Sequence, residues 1–517
     1  MLQAGLSAGI VGCSVERGGV RGGGDTGAAA GSTGSLGDTA AWTTSTTPAS
    51  SGPPNILYIY LDQLRWDALG CAGHPVVLTP AIDALAARSV QFGRCYTNSP
   101  LCMPARAVMI TGRLPGVTGV TNNLSSILPG GPSHVRRLRD VGYHTGVVGK
   151  VHLFPTAGHK DNNLEYLDRL GFSQTVETAG ARMSASEPSA YTDWLSATTL
   201  RGRVDKYAKY QRYIKEYLEG PHAVGVWTAD GIDAHGFRTA DHLDAFVARR
   251  ARTWLQYAPA DQPWYLQVNF AGPHPPWDAT AAYRALYDAD DPALSVPPDR
   301  DPTTVTGLVQ RVLDGRALPR SDAEKRATLV AYYAQISMVD ALVASVLDAL
   351  ERSGQSDNTW VVLHADHGEQ AGDKNLVGKM VFFEPSVRVP LLVRPPGGAA
   401  PWTSDALCDQ LDVTRTLLAI GGADRDEPGP RSLLSTVLDG PDAPGAHTGK
   451  AAVVSQVHDS SMVLLDHTKV TFEAGRATEL YDHRDDPEEW DNRVHSGERA
   501  GDVAMARDAL RDALTEA

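Results

Sequence analysis

The fold class is decided by one stretch of the chain, Asn55-Ile56-Leu57-Tyr58-Ile59-Tyr60-Leu61-Asp62. Its six central residues are apolar or aromatic without a break, which is typical of a strand buried on both faces of a parallel sheet. The run ends at a carboxylate, and active sites of open α/β sheets lie at the carboxyl ends of their strands. The stretch therefore predicts a central strand that ends at a functional site.

Other apolar runs predict further strands of the same sheet, at residues 145–152, 264–269, 360–365 and 389–393. Helical patterns lie between these runs. The clearest begins at the capping box Ser321-x-x-Glu324 and keeps apolar residues at helical spacing as far as Leu350. Strands that alternate with helices predict an α/β fold with a large, mostly parallel sheet sandwiched by helices.

The two ends of the chain differ in composition from this core. Of residues 1–53, 35 are Gly, Ala, Ser or Thr and only five are charged, which predicts a disordered, low-complexity leader. Residues 54–400 are expected to form the catalytic domain. After residue 400, short apolar runs at 453–457, 462–465 and 469–472 and a final helix pattern at 501–513 predict a smaller C-terminal α+β subdomain, residues 401–517, with an antiparallel sheet.

The charge balance of the 517 residues is acidic, with 47 Lys plus Arg, 61 Asp plus Glu and a net charge of −14. Such a chain has no overall field that attracts nucleic acid or an anionic membrane, so an anionic substrate needs a local basic pocket. No run approaches the roughly 18 apolar residues of a membrane span, and none is predicted. The sequence gives no indication of the oligomeric state.

The cysteines are odd in number, scattered and without CxxC spacing: Cys13, Cys71, Cys95, Cys102 and Cys408. This pattern predicts free thiols in a reducing compartment rather than a disulfide framework or a zinc site, so a cytoplasmic location is expected. The segment from Ile10 to Cys13 faintly resembles a lipoprotein box, which leaves export or a lipid anchor as the alternative. The positive start and the apolar run of a signal peptide are both missing.

The stretch Cys102-Met103-Pro104-Ala105-Arg106 predicts the first turn of a helix that ends at Gly112. Cys102 then lies at the amino end of that helix, where the helix dipole and unpaired N–H groups favour negative charge. Two interpretations follow from the residues alone. Cys102 is either an ordinary buried cysteine, or part of the CxPxR sequence that a formylglycine-generating enzyme recognises.

Two adjacent pairs of ligand-type residues follow predicted strands, Asp62-Gln63 and Asp366-His367. If both pairs meet at the carboxyl edge of the sheet, their four O and N donors and residue 102 form a site for one divalent cation. Acidic residues after strands are also common helix caps, which is the alternative for either pair alone.

Further polar residues follow predicted strands or glycines. Lys150 and His152 are two apart, so on a strand their side chains point to one face; the alternative is a strand end where both reach solvent. His274 lies between prolines, where it is either functional or a structural turn histidine. Lys379 follows Gly378 in a polar stretch that is also typical of a solvated lysine.

Together these motifs resemble the formylglycine-dependent sulfatases of the alkaline phosphatase superfamily. The resemblance extends from Asn55 to about Asn492 and rests on motifs that occur in the family's order. They are Leu61-Asp62-Gln63-Leu64-Arg65, Cys102-x-Pro-x-Arg106-x5-Gly112, Gly149-Lys150-Val151-His152, Gly272-Pro273-His274-Pro275, Asp366-His367-Gly368-Glu369 with Lys379, and Leu480-Tyr481-Asp482 with Asp486-Pro487-x-Glu489-x-x-Asn492.

The resemblance implies an alkaline phosphatase-like fold and a sulfatase that hydrolyses a small anionic ester. It implies that a formylglycine-generating enzyme converts Cys102 to formylglycine, and that the hydrated aldehyde attacks the sulfur. The implied metal ligands are Asp62, Gln63, residue 102, Asp366 and His367. The other implied roles are substrate contacts from Asn123, Lys150, His274 and Lys379, protonation of the leaving group by His274 with Lys379, proton removal by His152, and anchoring of residue 102 by Arg106.

The chain departs from many sulfatases, which have Asp-Asp and Asp-Asn where it has Asp62-Gln63 and Asp366-His367. One carboxylate fewer and an added imidazole weaken the case for Ca²⁺ and bring Mn²⁺ into contention. Phosphonate monoester hydrolases share this variation, so phosphonate monoester or phosphodiester hydrolysis is the alternative function. They usually lack Gly-Lys-x-His, which favours sulfate. A non-catalytic binding protein of the same fold is the remote alternative.

Overall fold

The computed structural model describes residues 52–128, 130–154, 158–199, 205–220, 237–314, 321–424 and 431–515. Except for residues 52 and 53, the predicted leader lies outside these residues, as does Cys13 with the faint lipoprotein box. All the described residues belong to one compact unit, Ser50–Ala517.

The described residues contain fourteen strands. In chain order they are β1 Asn55–Asp62, β2 Val90–Phe92, β3 Cys95–Tyr96, β4 His144–Lys150, β5 Gln174–Thr178, β6 Trp264–Pro273, β7 Thr359–Ala365, β8 Leu391–Arg394, β9 Trp402–Ser404, β10 Cys408–Asp409, β11 Val453–Val457, β12 Ser460–Leu465, β13 Thr468–Glu473 and β14 Arg476–Asp482.

The same residues contain fifteen α-helices. They are α1 Pro80–Ala86, α2 Cys102–Thr111, α3 Pro115–Thr118, α4 His134–Asp140, α5 Leu164–Arg169, α6 Ala190–Ala197, α7 Lys206–Glu219, α8 Leu243–Gln256, α9 Ala281–Arg284, α10 Gly307–Asp314, α11 Asp322–Arg352, α12 Glu384–Val387, α13 Gln410–Ile420, α14 Leu434–Asp439 and α15 Ala500–Thr515.

The main sheet has eight strands in the order β5-β4-β6-β1-β7-β8-β2-β9. The five strands from β5 to β7 are mutually parallel, whereas β8 is antiparallel to both of its neighbours. The predicted α/β class with a mostly parallel sheet is therefore confirmed. Because β4, β6, β1 and β7 are adjacent and parallel, their carboxyl ends share one edge of the sheet.

Every residue of β1 is buried, as the unbroken apolar run predicts. The strand pairs with β6 on one side and β7 on the other, so it occupies the middle of the sheet. Three of the other predicted strand ends need correction. β8 begins at Leu391 rather than at residue 389, β4 ends at Lys150 rather than at His152, and β6 continues to Pro273 rather than ending at residue 269. His152 has a φ of 53°, and this left-handed backbone turns the chain out of the sheet.

Helix α11 begins at the predicted capping box. The Ser321 hydroxyl accepts the N–H of Glu324 at 3.2 Å, and the Glu324 carboxylate accepts the N–H of Ser321 at 3.0 Å. By length and composition alone α11 is apolar enough to cross a membrane, but 72% of its most apolar 18-residue window is buried. It is therefore a core helix packed inside the domain.

A second, antiparallel sheet of four strands runs in sequence order from β11 to β14, and α15 packs on β12 and β13. The three predicted runs form its first strands, and the fourth carries Leu480-Tyr481-Asp482 of the closing motif. Strand β9, beyond residue 400, pairs with β2 in the main sheet. The domain boundary near residue 400 stays a prediction.

Candidate active site

Four adjacent strands deliver polar residues to one edge of the main sheet. β1 ends at Asp62, β4 at Lys150 and β7 just before Asp366, while β6 is followed at once by His274. The fourfold convergence follows from the parallel order β4-β6-β1-β7, because carboxyl ends of parallel neighbours lie together. The sequence motifs thus meet at one place in the fold.

Cys102 is the first residue of α2 and is buried. The preceding Leu101 is extended and provides no side-chain cap for the helix. Instead the Asn123 Oδ1 atom accepts the N–H of Met103 at 3.0 Å. Asn123 therefore secures the amino end of the helix that carries Cys102.

Four potential metal ligands surround this helix end: Asp62, Cys102, Asp366 and His367. One ligand atom from each lies within 4.8 Å of the others, and all four residues are buried. The His367 Nε2 atom lies 3.3 Å from the Cys102 sulfur and 3.5 Å from an Asp366 oxygen. Two carboxylates, an imidazole and residue 102 are a ligand set suited to a divalent cation.

Gln63 adds an amide beside this cluster. Its φ of 69° is left-handed, and its backbone N–H donates to the Asp366 carboxylate at 2.9 Å. The Tyr332 hydroxyl donates to the Gln63 carbonyl at 2.8 Å and accepts the N–H of Arg65 at 3.0 Å. The turn after β1 is thus held by α11 across the sheet face.

Arg106 lies one turn along α2 and connects the two carboxylates. Its guanidinium donates to Asp62 and to Asp366, each at 3.0 Å, and to the Lys150 carbonyl. The aromatic ring of Tyr60 lies below it, with the guanidinium carbon 5.2 Å from the ring centroid. Burial opposes the charge of Arg106, but the two carboxylates outweigh this effect and raise the pKa of the guanidinium. Arg106 therefore stays charged.

The Cys102 sulfur is surrounded by hydrogen-bonding groups. The Lys379 Nζ atom lies 2.8 Å from it and the His367 Nε2 atom 3.3 Å, and the imidazoles of His152 and His274 are near enough to interact electrostatically with it. Lys150 pairs with the Asp62 carboxylate directly behind. Two lysines and two histidines therefore face residue 102 from the ends of two strands, β4 and β6, and from a loop.

These neighbours shift the protonation of the site. Burial works to raise the pKa of the Cys102 thiol, but Lys379, Lys150 and His367 lower it well below its usual range. Burial, with help from Lys379, lowers the pKa of His274 to about 3. Burial also lowers the pKa of His152. The site stabilises a negative charge at residue 102 and keeps both histidines neutral.

All the sequence-predicted site residues therefore meet at this edge, with Asn123 bonded to the helix end. The expectation that Lys150 and His152 share one face of a strand is wrong, because β4 ends between them. Gly149 lets β4 lie close to β6 at this point, since a Cβ at residue 149 would lie 2.0 Å from the Asn269 carbonyl oxygen. Arg65 pairs with Asp67 and Asp373, which agrees with a structural role.

Sequence reasoning missed several residues that hold this site together. The Gln410 side chain and the Thr97 hydroxyl both donate to the Asp366 carbonyl, and Tyr332 holds the Gln63 turn. Glu369, next to the Asp366-His367 pair, is completely buried against Gln63. Of these residues only Glu369 belongs to one of the family motifs, Asp366-His367-Gly368-Glu369, so only Glu369 could have been found from the sequence. The others act from distant parts of the chain.

Comparison with known proteins decides the family. A family model named Sulfatase matches residues 54–423 of this chain. The chain belongs to the sulfatase family. It is 30% identical over 390 residues to a choline-sulfatase of Rhizobium meliloti, an alignment that covers 73% of this chain and 69% of that protein. An arylsulfatase of Clostridium perfringens is 26% identical over 384 residues, covering 71% and 74%.

This sulfatase also shares its fold with a phosphonate monoester hydrolase of Agrobacterium radiobacter. That crystal structure superposes with a TM-score of 0.72 at 23% identity, covering 89% of this chain and 95% of the other. Family membership confirms the resemblance to sulfatases of the alkaline phosphatase superfamily and the predicted enzyme class, a sulfuric ester hydrolase.

Proposed function

We propose that this sulfatase hydrolyses a sulfate monoester to an alcohol and inorganic sulfate, with residue 102 as the nucleophile after its conversion to formylglycine. The observation that carries the proposal is the set of groups around Cys102. Lys379 and Lys150 provide positive charge, and His152 and His274 provide groups for proton transfer. All four lie beside the cluster of potential metal ligands.

The residues fit one divalent cation, which we propose to be Ca²⁺ or Mn²⁺. Asp62, Gln63, residue 102, Asp366 and His367 would hold it. Two buried carboxylates supply the negative charge that such an ion needs, and the imidazole suits Mn²⁺ better than Ca²⁺. When bound, the ion supplies positive charge beside the reacting oxygen of residue 102.

The chain's own residues then divide the chemistry. One hydroxyl of hydrated formylglycine loses its proton to solvent, because the neighbouring cationic groups stabilise negative charge at residue 102, and its oxygen attacks the sulfur as the ester S–O bond to the alcohol breaks. The second hydroxyl then allows sulfate to leave as the aldehyde re-forms. Lys150 and Lys379 stabilise the oxygens of the sulfate group as charge develops there. His274, with Lys379, donates a proton to the departing alcohol, and His152 accepts the proton of the remaining hydroxyl.

Two structural features agree with these roles. His152, which lies beside Cys102, has a buried Nδ1 atom without a hydrogen-bond partner among the described residues. His274 bonds the Pro275 carbonyl through Nδ1 at 2.6 Å, so the ring is oriented by its own loop. The pKa of about 3 at His274 arises from burial and two nearby lysines. A bound sulfate ester places a negative charge among these cations and favours protonation of the ring.

The competing function is hydrolysis of a phosphonate monoester or phosphodiester on the same residues. Sulfate monoesters and phosphodiesters are both monoanions, so charge hardly separates them. The family and the Gly149-Lys150-x-His152 segment favour sulfate. The test compares kcat/KM for 4-nitrophenyl sulfate, a phenylphosphonate monoester and a phosphodiester. We expect sulfate to lead by at least about tenfold, a difference of about 1.4 kcal/mol; a lead for either phosphorus ester would assign the other function.

A second test determines the chemical class of the alcohol that carries the sulfate group. The relative named choline-sulfatase makes an alkyl sulfate such as choline sulfate a candidate substrate, and the relative named arylsulfatase makes an aryl sulfate another. Initial rates on aryl, alkyl and sugar sulfates at equal concentration separate these classes. The class with the highest kcat/KM is the substrate class of the site.

Replacing His274 by alanine is expected to slow alkyl sulfate hydrolysis far more than hydrolysis of 4-nitrophenyl sulfate. A positioned acid contributes about 10²- to 10⁴-fold, and this matters most when the alcohol is a poor leaving group. The measurement is kcat/KM for both substrates. As the matched variant, His152→Ala should slow both substrates alike and let sulfated enzyme accumulate. If His274→Ala instead loses kcat/KM equally on both substrates and accumulates sulfated enzyme, the roles assigned to His274 and His152 are the reverse of those proposed.

A further inference from the structure

Gln63 differs from the carboxylate that many sulfatases have at this place, because its two ends are chemically different. A carboxylate presents an acceptor oxygen whichever way it turns, whereas an amide presents either an acceptor or a donor. A neighbouring group must therefore decide which end of Gln63 faces the cation site. The carboxylate that accepts from the Gln63 side chain is that of Glu369.

The contacts of Gln63 are fixed at both ends. Its Oε1 atom accepts from Lys379 Nζ at 2.6 Å, on the side of the site where Lys379 also contacts Cys102. Its Nε2 atom donates to the Glu369 carboxylate on the opposite side. Glu369 is 0% exposed, so no solvent competes for this bond.

Glu369 is itself held by backbone donors. Its second oxygen accepts the N–H of Ala371 at 2.9 Å and the N–H of Gly378. Gly378 directly precedes Lys379, and the N–H of Gln370 returns a bond to the Gly378 carbonyl at 2.8 Å. One carboxylate thus holds both the amide of Gln63 and the backbone that carries Lys379.

We propose that Glu369 is the positioning residue that orients Gln63 with its oxygen toward the cation site and fixes Lys379 beside it. The proposal rests on the proposed function, because it assigns Gln63 to the ligand set. It adds a residue whose task is to make an amide act as the second carboxylate does in other sulfatases. Partners of metal ligands typically change metal affinity by about 10- to 100-fold when they are replaced.

The isosteric change Glu369→Gln has a predictable geometry. The N–H groups of Ala371 and Gly378 can only donate, so the new amide must keep its oxygen toward them. Its NH₂ then faces the NH₂ of Gln63, and Gln63 must turn over. After that turn, the NH₂ of Gln63 faces the Lys379 ammonium and the cation site, where both neighbours are positive.

The reverse change at Gln63 should repair this defect. In the double variant Gln63→Glu/Glu369→Gln, the carboxylate at position 63 accepts from the new amide and still offers an oxygen to Lys379. The pair keeps its total charge and its hydrogen bond, with donor and acceptor exchanged. Gln63→Glu alone instead places two buried carboxylates against each other, which is destabilising.

The experiment measures binding of Mn²⁺ and of Ca²⁺ alone by calorimetry, and thermal unfolding in EDTA, for the wild type, both single variants and the double variant. We expect Glu369→Gln to weaken cation binding about 10- to 100-fold and the double variant to recover most of this loss. In EDTA both single variants should melt lower than the wild type and the double variant. Glu479→Gln, a buried glutamate that accepts from Tyr481 in the second sheet, is the control and should bind the cations normally.

The outcomes separate this inference from the proposed function. If Glu369→Gln binds the cations as tightly as the wild type does, the inference is overturned. It is also overturned if the double variant recovers neither cation binding nor the melting temperature. If Glu369→Gln does not fold, recovery in the double variant supports the pairing and failure there overturns it. A wild type without sulfatase turnover overturns the proposed function instead, while the unfolding cycle in EDTA still decides the pairing.

Discussion

Replacing Cys102 by alanine should abolish turnover of sulfate esters, with a loss in kcat of at least about 10⁴-fold. The reason is positional as well as chemical. Lys379, His367, His152 and His274 all converge on this one side chain, so no other side chain in the cluster can take over the attack. The measurement is kcat on an aryl sulfate, with folding checked by thermal unfolding.

Mass spectrometry of the Cys102 peptide tests the modification directly. Conversion of the thiol to an aldehyde removes about 18 Da from the side chain of an active preparation. Cys102→Ser should become sulfated and stay so, gaining about 80 Da, because a single hydroxyl cannot release the sulfate group. Cys71→Ala, a half-buried cysteine beside Asp83, is the matched control and should turn over normally. If an active preparation contains residue 102 only as an unmodified cysteine that can be alkylated, the formylglycine proposal is contradicted.

The second large effect is expected for Asp366→Asn, which should lose the divalent cation and the activity together. This change keeps the volume of the side chain but removes one of the two carboxylates of the cluster. It also leaves Arg106 with Asp62 as its only carboxylate partner, and breaking a buried ion pair typically costs about 3–5 kcal/mol of stability. We expect cation affinity and kcat each to fall by at least about 10³-fold.

The checks on Asp366→Asn separate loss of the cation from loss of the fold. Elemental analysis and calorimetry measure the cation, and near-ultraviolet circular dichroism reports on packing. Asp340→Asn is the matched control, because Asp340 is buried in α11 and accepts the N–H groups of Ala81 and Ile82 rather than a group of the metal-ligand cluster. It should keep its cation. Active wild-type enzyme that contains no metal would contradict the ligand assignment.

Much of the fold could be predicted because the evidence for it is local. The run from Ile56 to Leu61 contains only aliphatic and aromatic residues, which is typical of a strand buried on both faces. The Ser321 capping box sets the start of α11 through bonds within four residues. Where a boundary was wrong, as at His152, a single left-handed residue changed the chain direction, and residue type alone does not specify such a φ.

The candidate site was predictable for a related reason. Asp62 and Lys150 end their strands, His274 and Asp366 directly follow theirs, and adjacency of parallel strands then brings them together. The sequence could not show which atoms face each other. That Asn123 bonds the helix end through its oxygen, or that Lys379 reaches both Gln63 and Cys102, depends on loops that pack from distant parts of the chain.

By itself, then, the sequence determined the α/β class, the strands, the order of the motifs and the residues with the chemistry of a sulfatase, because these follow from hydrophobic periodicity and from side-chain identity. Only the tertiary structure decided orientation and support. Glu369 holds an amide in one of two possible orientations, and Tyr332 and Gln410 hold the backbone of Gln63 and Asp366. The two contacts of Gln63 join residues far apart in the chain, 306 positions to Glu369 and 269 to Tyr332, and a buried hydrogen bond between them exists only once the chain has folded.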